Sequence, residues 1–398
     1  MNVTISELQK MGKLNGFRLI AGEKGLNNEV SACCVLDYEF DPELKNKFQH
    51  SNFKPGLLVF TSFLYAKDKT YLIAEAVRQL IKSEASGLVI RNVYHLSISE
   101  SLLRYADSSG FPIFLLEDTD LFIDSIFNGI HDAIRVLGDM RYQEEKAEWL
   151  MNADLSEESR TALAYELFPG IRGHYMVYFY AKLPDRPIVQ QLTGLRRILV
   201  DFHGTGVFAL RKSFVVIAEA EYPDAGLSNE ANSELCRLID EELGTSIVGI
   251  SNVHYHPGEL KDAMEEGITS VCCSDLNRSD TGMVSVLFND IGSSKILINA
   301  ANDKRMQQFA ASLIDRVSEL TNGGSRELVD TLIQMVECGG NLHQMSEKMG
   351  LHENTLRQRM GKVRDLTGLD CRAYEDYEQL SLAVRINRII GNRKLLEI

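Results

Sequence analysis

Residues 341–364 read Asn341-Leu342-His343-Gln344-Met345-Ser346-Glu347-Lys348-Met349-Gly350-Leu351-His352-Glu353-Asn354-Thr355-Leu356-Arg357-Gln358-Arg359-Met360-Gly361-Lys362-Val363-Arg364, and their spacing decides the C-terminal fold. Leu342, Met345 and Met349 recur at intervals of three and four, one face of a helix. Asn341 offers a cap oxygen, with Gln344 three positions on as its reciprocal partner. Gly350 suits a left-handed turn residue, and Leu351 plugs back into the core. From about Glu353 a further helix buries Leu356, Met360 and Val363. Upstream, Glu327 to Cys338 reads as a support helix ended by Gly339-Gly340. Two short helices across a glycine turn, with a support helix before them, describe a helix-turn-helix.

At about 100° per residue the face opposite Leu356 carries Asn354, Gln358 and Gly361, flanked by Thr355, Arg357 and Lys362. Asparagine and glutamine offer the amide pair that reads adenine, and arginine the fork that reads guanine. Arg359 falls nearer the buried side, where it would make a phosphate contact or an internal ion pair. The competing assignment is a solvated charged helix in a bundle. Double-stranded DNA is the expected partner.

Charge distribution allows this. The chain of 398 residues carries a net charge of −14, yet residues 324–398 hold 11 basic and 11 acidic residues, so the rest carries the whole deficit. A small basic element on an acidic body fits DNA contact through that element alone. The 44% hydrophobic and 25% charged content is that of a globular protein. Apolar runs such as Phe111–Leu116 fall well short of the roughly 18 residues a spanning helix needs, so no membrane partner is expected. Met1 to Glu7 lacks a basic region followed by an apolar stretch. Seven cysteines form no C-x-x-C pair, which suits reduced thiols and a cytoplasmic location.

The chain length predicts several domains. Residues 1–121 alternate strand-like Leu57–Thr61, Gly87–Ile90 and Pro112–Leu116 with helix-like Tyr71–Ser83 and Ser99–Asp107, an α/β pattern. Residues 122–152 read as a connector helix whose stripe Phe122, Ile126, Ile130, Ala133 and Leu137, followed by the charged Arg141 to Glu148, either packs on its own domain or dimerises. Residues 153–295 read strand (His174–Tyr180), helix (Ile188–Leu199), hairpin turned at Arg211-Lys212-Ser213, helix (Asn229–Glu242) and strand (Ser246–Ile250), then helix (Gly258–Cys272) and strand (Val284–Phe288). The β-α-β-β-α-β order is the ferredoxin-like arrangement. Residues 296–398 read as all-α. The fold class expected is multidomain α/β and α+β.

Catalytic patterns are weak. Gly204-Thr205-Gly206-Val207-Phe208-Ala209 matches a dinucleotide fingerprint, but a turn and a β-branched run come next where a helix is required. No P-loop, G-x-S-x-G elbow or H-E-x-x-H helix occurs. His254-Tyr255-His256 with Cys272 and Cys273 lacks the spacing of a zinc site. No enzyme activity, cofactor or metal is expected. A nucleotide-binding or cyclase-derived enzyme using the middle domain is the alternative, and an interaction scaffold a third.

The run Leu351 to Met360, continued by Leu366-Thr367-Gly368-Leu369-Asp370, closely resembles the C-terminal helix-turn-helix of PucR/CdaR-type bacterial transcription regulators. Ser346 stands where that family has a small alanine. Ile5-Ser6-Glu7-Leu8, Leu19-Ile20-Ala21-Gly22, Pro55 to Thr61 and Phe111 to Phe114 resemble landmarks of its N-terminal sensory domain. The resemblance implies a degenerate GGDEF-like middle domain. A working cyclase would need an acidic hairpin where this chain has Arg211-Lys212-Ser213. It further implies control of a catabolic operon in response to a small metabolite.

Two further expectations concern partners. Thr61-Ser62 and Arg91-Asn92 come directly after two strands and would meet at one carboxyl edge, suited to a small polar, anionic effector, or else would only cap the next helices. A single helix-turn-helix reads too few bases, so a homodimer or higher homo-oligomer on paired half-sites is expected, with the Phe122–Leu137 stripe as candidate seam.

Overall fold

The structure, a computed structural model, describes residues 3–42, 44, 53–116, 122–171, 173–181, 188–202, 204–220, 229–244, 247–274, 284–318 and 325–397, without the side chains of 220, 229–233, 325 and 326. Ser246 and the expected boundary at residue 121 lie outside that set. The chain divides into two compact units, residues 1–145 with 186–190, and 146–185 with 191–398. Among the described residues, no helix is long and apolar enough to cross a membrane.

In chain order the first elements are β1 (Val3–Thr4), α1 (Ile5–Lys10), β2 (Phe17–Ala21), β3 (Glu29–Val30), β4 (Ala32–Val35), β5 (Leu57–Thr61), α2 (Tyr71–Lys82), β6 (Gly87–Ile90), α3 (Glu100–Ser109), β7 (Ile113–Leu116) and α4 (Ile123–Asn152). A five-stranded sheet runs β2-β7-β6-β5-β4. β4, β5, β6 and β7 are mutually parallel, and β2 pairs antiparallel with β7. The short apolar runs become strands because both faces of a parallel sheet are covered. Val59, Leu88, Ile90 and Ile113 pack with Leu72, Ala76, Leu80, Leu102 and Ala106 of α2 and α3. Phe60, a residue on from Val59 and so on the other face, meets the Phe127 ring of α4 at 4.9 Å.

The connector stripe is not a free face. Ile126, Ile130, Ala133 and Leu137 are buried within the chain, and only Phe122, just before α4, stands 77% exposed. A stripe already covered by its own chain offers no dimer seam, which corrects that expectation. α4 also continues through the charged stretch Arg141 to Glu148 to a length of 30 residues.

The chain continues with α5 (Glu157–Leu167), β8 (His174–Ala181), α6 (Ile188–Leu199), β9 (Thr205–Leu210), β10 (Ser213–Ala220), α7 (Asn229–Leu243), β11 (Ile247–Ile250), α8 (Leu260–Cys273), β12 (Val284–Leu287), α9 (Ser294–Ala300), α10 (Lys304–Ser318), α11 (Ser325–Glu337), α12 (Leu342–Met349), α13 (Glu353–Thr367) and α14 (Tyr374–Leu396). The second sheet runs β12-β11-β8-β10-β9. Its last four strands are antiparallel neighbours, and β12 lies parallel to β11. The dinucleotide-like run opens β9, which turns directly into the hairpin with β10 and leads into no helix.

One face of this sheet, through Tyr175, Val177 and Phe179, shares a core with Ala263 and Met264 of α8, Leu313 of α10 and Ile386 and Ile389 of α14. The core therefore runs across the boundary expected at 295/296. A second core joins Leu332 and Met335 of α11, Met345, Leu356, Met360 and Val363 to Leu380 and Val384 of α14.

α8 lies against β11 through two glycines: a Cβ added at Gly249 would stand 2.0 Å from the Gly267 carbonyl oxygen. Gly249→Ala must push helix and sheet apart and should cost about 1–3 kcal/mol. Gly138, inside α4, has nothing within 4 Å of an added Cβ, and Gly138→Ala should stabilise by about 0.5–1 kcal/mol. Thermal melts of the two variants shifting in the same direction would contradict this packing.

Candidate nucleic-acid interface

The turn between α12 and α13 is held by side chains. Asn341 Oδ1 accepts the backbone N–H groups of His343 at 3.0 Å and Gln344 at 3.2 Å. The reciprocal bond that the spacing offered from the Gln344 side chain is not formed among the described residues. Gly350 closes α12 at φ +61°, where a side chain would be strained. Ser346 Oγ donates to the Leu351 carbonyl at 2.6 Å, and His352 Nδ1 accepts the Asn354 N–H at 3.1 Å as the cap of α13. By sequence Ser346 is only a departure from a small alanine, and His352 carries no cap signal. Both pin the turn that aims α13.

α13 buries Leu356, Met360 and Val363. Its outward face shows Asn354, Arg357, Gln358 and Lys362 exposed, with Thr355 and Gly361 partly covered. A Cβ on Gly361 would meet nothing within 4 Å, so a partner's backbone can approach closely there. Arg357 is 58% exposed, its guanidinium 3.0 Å from Glu353 and 3.2 Å from Asn354 Oδ1. Such an exposed pair is worth little and is easily given up to a base or phosphate.

Arg359 is set apart from this group. Its side chain is only 18% exposed and lies 2.5 Å from Glu327 of α11, with Thr331 Oγ1 at 3.4 Å. Of its two sequence-based readings, the internal ion pair is the one formed, because position 359 turns toward α11. Arg359 is therefore removed from the expected DNA-contacting residues.

The expected effector residues do come together. β5 and β6 are parallel with Thr61 opposite Ile90, and the Arg91 N–H donates to the Thr61 carbonyl at 2.9 Å. Two of the four side chains serve the local fold. Thr61 Oγ1 accepts the Phe63 N–H at 2.9 Å. Asn92 clamps its own loop, accepting the Leu96 N–H at 2.7 Å and donating to the Leu96 carbonyl at 3.1 Å. Ser62 and Arg91 are partly exposed at that edge.

His254 and His256 have separate duties. His256 Nδ1 accepts the Gly258 N–H at 3.2 Å. His254 lies between Glu266 at 3.3 Å and Glu259 at 3.5 Å. Burial opposes charge on His254, but its hydrogen bond to Glu266 and the charges of Glu266, Glu259 and Asp262 together raise its pKa. Burial likewise opposes charge on Glu266, yet His254 and Asn252 lower its pKa overall.

Comparison with known proteins places these features. A helix-turn-helix with a polar, partly basic outward face defines a DNA-binding class. Residues 328–386 match the family model of the PucR C-terminal helix-turn-helix domain, and residues 7–134 that of the purine catabolism regulatory protein-like family. These two matches make residues 7–134 and 328–386 similar to the corresponding domains of PucR-type regulators. The purine catabolism regulatory protein of Bacillus subtilis (strain 168) is 31% identical over 117 residues, 29% of this chain. The match spans 20% of that relative's length. The crystal structure of a regulator of polyketide synthase expression from Bifidobacterium adolescentis is similar at 14% identity, covering 63% of this chain and 98% of that one. Its TM-score of 0.31 is too low to carry weight.

The ion pairs lead to two expected outcomes. Arg359→Met should lower stability by about 1 kcal/mol, since Glu327 is 62% exposed and water takes over its solvation; a loss several times larger in a denaturant titration would mean a fully buried pair. With its folded pKa raised, His254 stabilises below an imidazole's ordinary value of about 6.5 and loses that contribution as pH rises through the raised value. Glu266, lowered, stabilises above about 4.3 and loses it on acidification. His254→Asn should therefore flatten the decline of Tm on the alkaline side, and an unchanged profile would contradict the pairing.

Proposed function

We propose that the chain regulates transcription by seating α13 in the DNA major groove. Asn354, Arg357 and Gln358 read bases, Thr355 supports them, and Lys362 holds a phosphate. The observation that carries this reading is the division of α13: Leu356, Met360 and Val363 lie in the core while an amide–guanidinium–amine face stands clear. Palindromic half-sites read by a homodimer or larger homo-oligomer would supply the specificity that one such helix lacks.

The N-terminal domain is the proposed sensor of a small anionic metabolite, with Ser62 and Arg91 at the carboxyl edge of its parallel strands as the contacts. Catabolic control is supported by the name of the Bacillus subtilis relative. For the middle domain, the all-antiparallel order β11-β8-β10-β9 supports a ferredoxin-like, GGDEF-like fold. Its hairpin turn carries Arg211, held 2.9 Å from Glu148, where a cyclase would place carboxylates, so a structural role is proposed for it. A cytoplasmic location accords with these roles.

An electrophoretic shift with the DNA upstream of the chain's own gene tests the reading. Arg357→Ala or Gln358→Ala should cost about 1–3 kcal/mol on the preferred site and relax one base preference. Lys362→Ala should weaken all sequences alike and lower the salt slope by about one, whereas Arg359→Met should leave that slope unchanged. Wild-type affinity and footprint in the first three variants would refute the assignment.

A further inference from the structure

Beside the proposed reading face, α13 walls a cavity of about 590 Å³ that shares Arg357 and Gly361 with that face. Its lining includes Met345, Met360 and Tyr377, all of which belong to or pack on the core of this domain. Thioethers and a phenol ring form a soft, polarisable wall suited to an aromatic ring. Arg357, Arg364 and Arg372 also line it, against the single carboxylate of Asp370. Arg372 holds that carboxylate at 2.7 Å, while Arg364 stands 3.9 Å from it and 3.5 Å from Asp365. These are surface pairs on half-exposed or exposed side chains, so a better-placed anion can take their guanidinium groups.

We propose that this cavity binds a small organic anion, an aromatic carboxylate in class, with its ring against Met360 and Tyr377 and its carboxylate on Arg364 and Arg357. The volume lies within the 300–1,000 Å³ typical of small-molecule sites. A DNA phosphate matches the rim charge but leaves the apolar depth unfilled, which is why a small molecule is preferred. The site is distinct from the carboxyl edge of the N-terminal sheet. Arg357 and Gly361 belong to both the cavity wall and the proposed reading face, so the two ligands compete for one guanidinium. Resting on the DNA reading, this competition makes the anion an antagonist of DNA binding, by the same factor in either direction.

The test uses the full chain and 2-naphthoate as probe, monitored by saturation-transfer NMR. Saturable binding is expected, weakened at least tenfold by Arg364→Gln and by Cys371→Trp, which fills the cavity, and unchanged by Arg104→Gln on α3, which does not line it. Arg364 is about half exposed, so its glutamine variant should fold even where Cys371→Trp does not, and a melting profile confirms this. No saturable binding, or wild-type affinity in folded Arg364→Gln, overturns the site. In the second arm, saturating naphthoate should weaken the DNA shift, and DNA should weaken naphthoate by an equal factor. Naphthoate binding with unchanged DNA affinity overturns the antagonism. A chain that binds naphthoate but never shifts DNA overturns the reading of α13 while supporting the cavity.

Discussion

Helix α14 is buried in two cores at once, and the second unit depends on it. Leu380 and Val384 enter the core of the helix-turn-helix, while Ile386 and Ile389 enter the core under the middle sheet. Full burial of such side chains contributes on the order of 1.5–3 kcal/mol each, so neither end can be released without exposing apolar surface. Polar contacts fix its register. Arg388 meets Glu337 of α11 at 2.5 Å, and buried Asn392 donates to the carbonyls of Cys272 at 2.9 Å and Ser274 at 2.7 Å, where α8 ends. A buried amide left without these acceptors would carry its full desolvation cost, so the helix has one favoured rotation about its axis. The orientation of α13 against the middle domain is inherited from that rotation.

Much of this was legible in the sequence where burial is simple. Leu57–Thr61 and Gly87–Ile90 read as strands because a parallel strand covered on both faces is a continuous apolar run. α13 read correctly because Leu356, Met360 and Val363 keep one stripe facing one core. α14 gave no such stripe: a helix facing two cores is apolar on more than one side, so its periodicity blurs. The same cause hid the continuity of the core across residues 295 and 296.

Charged residues were the other blind spot. Arg141 to Glu148 read as a charged stretch after the stripe, inside the 122–152 connector helix, and α4 runs straight through them, with tertiary partners for three of these charges that the pattern did not show. Arg141 meets Glu7 at 2.6 Å, Lys146 meets Glu166 at 2.8 Å, and Glu148 meets Arg211 at 2.9 Å. Local pattern assigns such residues to solvent; only the fold reveals partners more than a hundred positions away, as for Arg141. Asn92 and Thr61 illustrate the opposite case, in which the local reading of the two is the one whose bonds are formed. Polar groups after parallel strands suggest a ligand, but here they satisfy a loop's own backbone, as short polar side chains readily do.

The helix-turn-helix combines both effects on a single element. Two of the three faces of α13 have partners within the chain: Leu356, Met360 and Val363 take the core and Arg359 takes α11 through Glu327, while Asn354, Gln358 and Gly361 are left outward. Rotating α13 by one position would bury Arg357 in place of Leu356, at a cost of several kcal/mol for an unpaired charge. It would also turn Arg359 away from Glu327 and break the His352 cap. The outward face is therefore set by what the other two faces cannot give up. A chain with a net charge of −14 can in this way present cations to an anionic partner, because their position is fixed by packing and not by the average charge of the molecule.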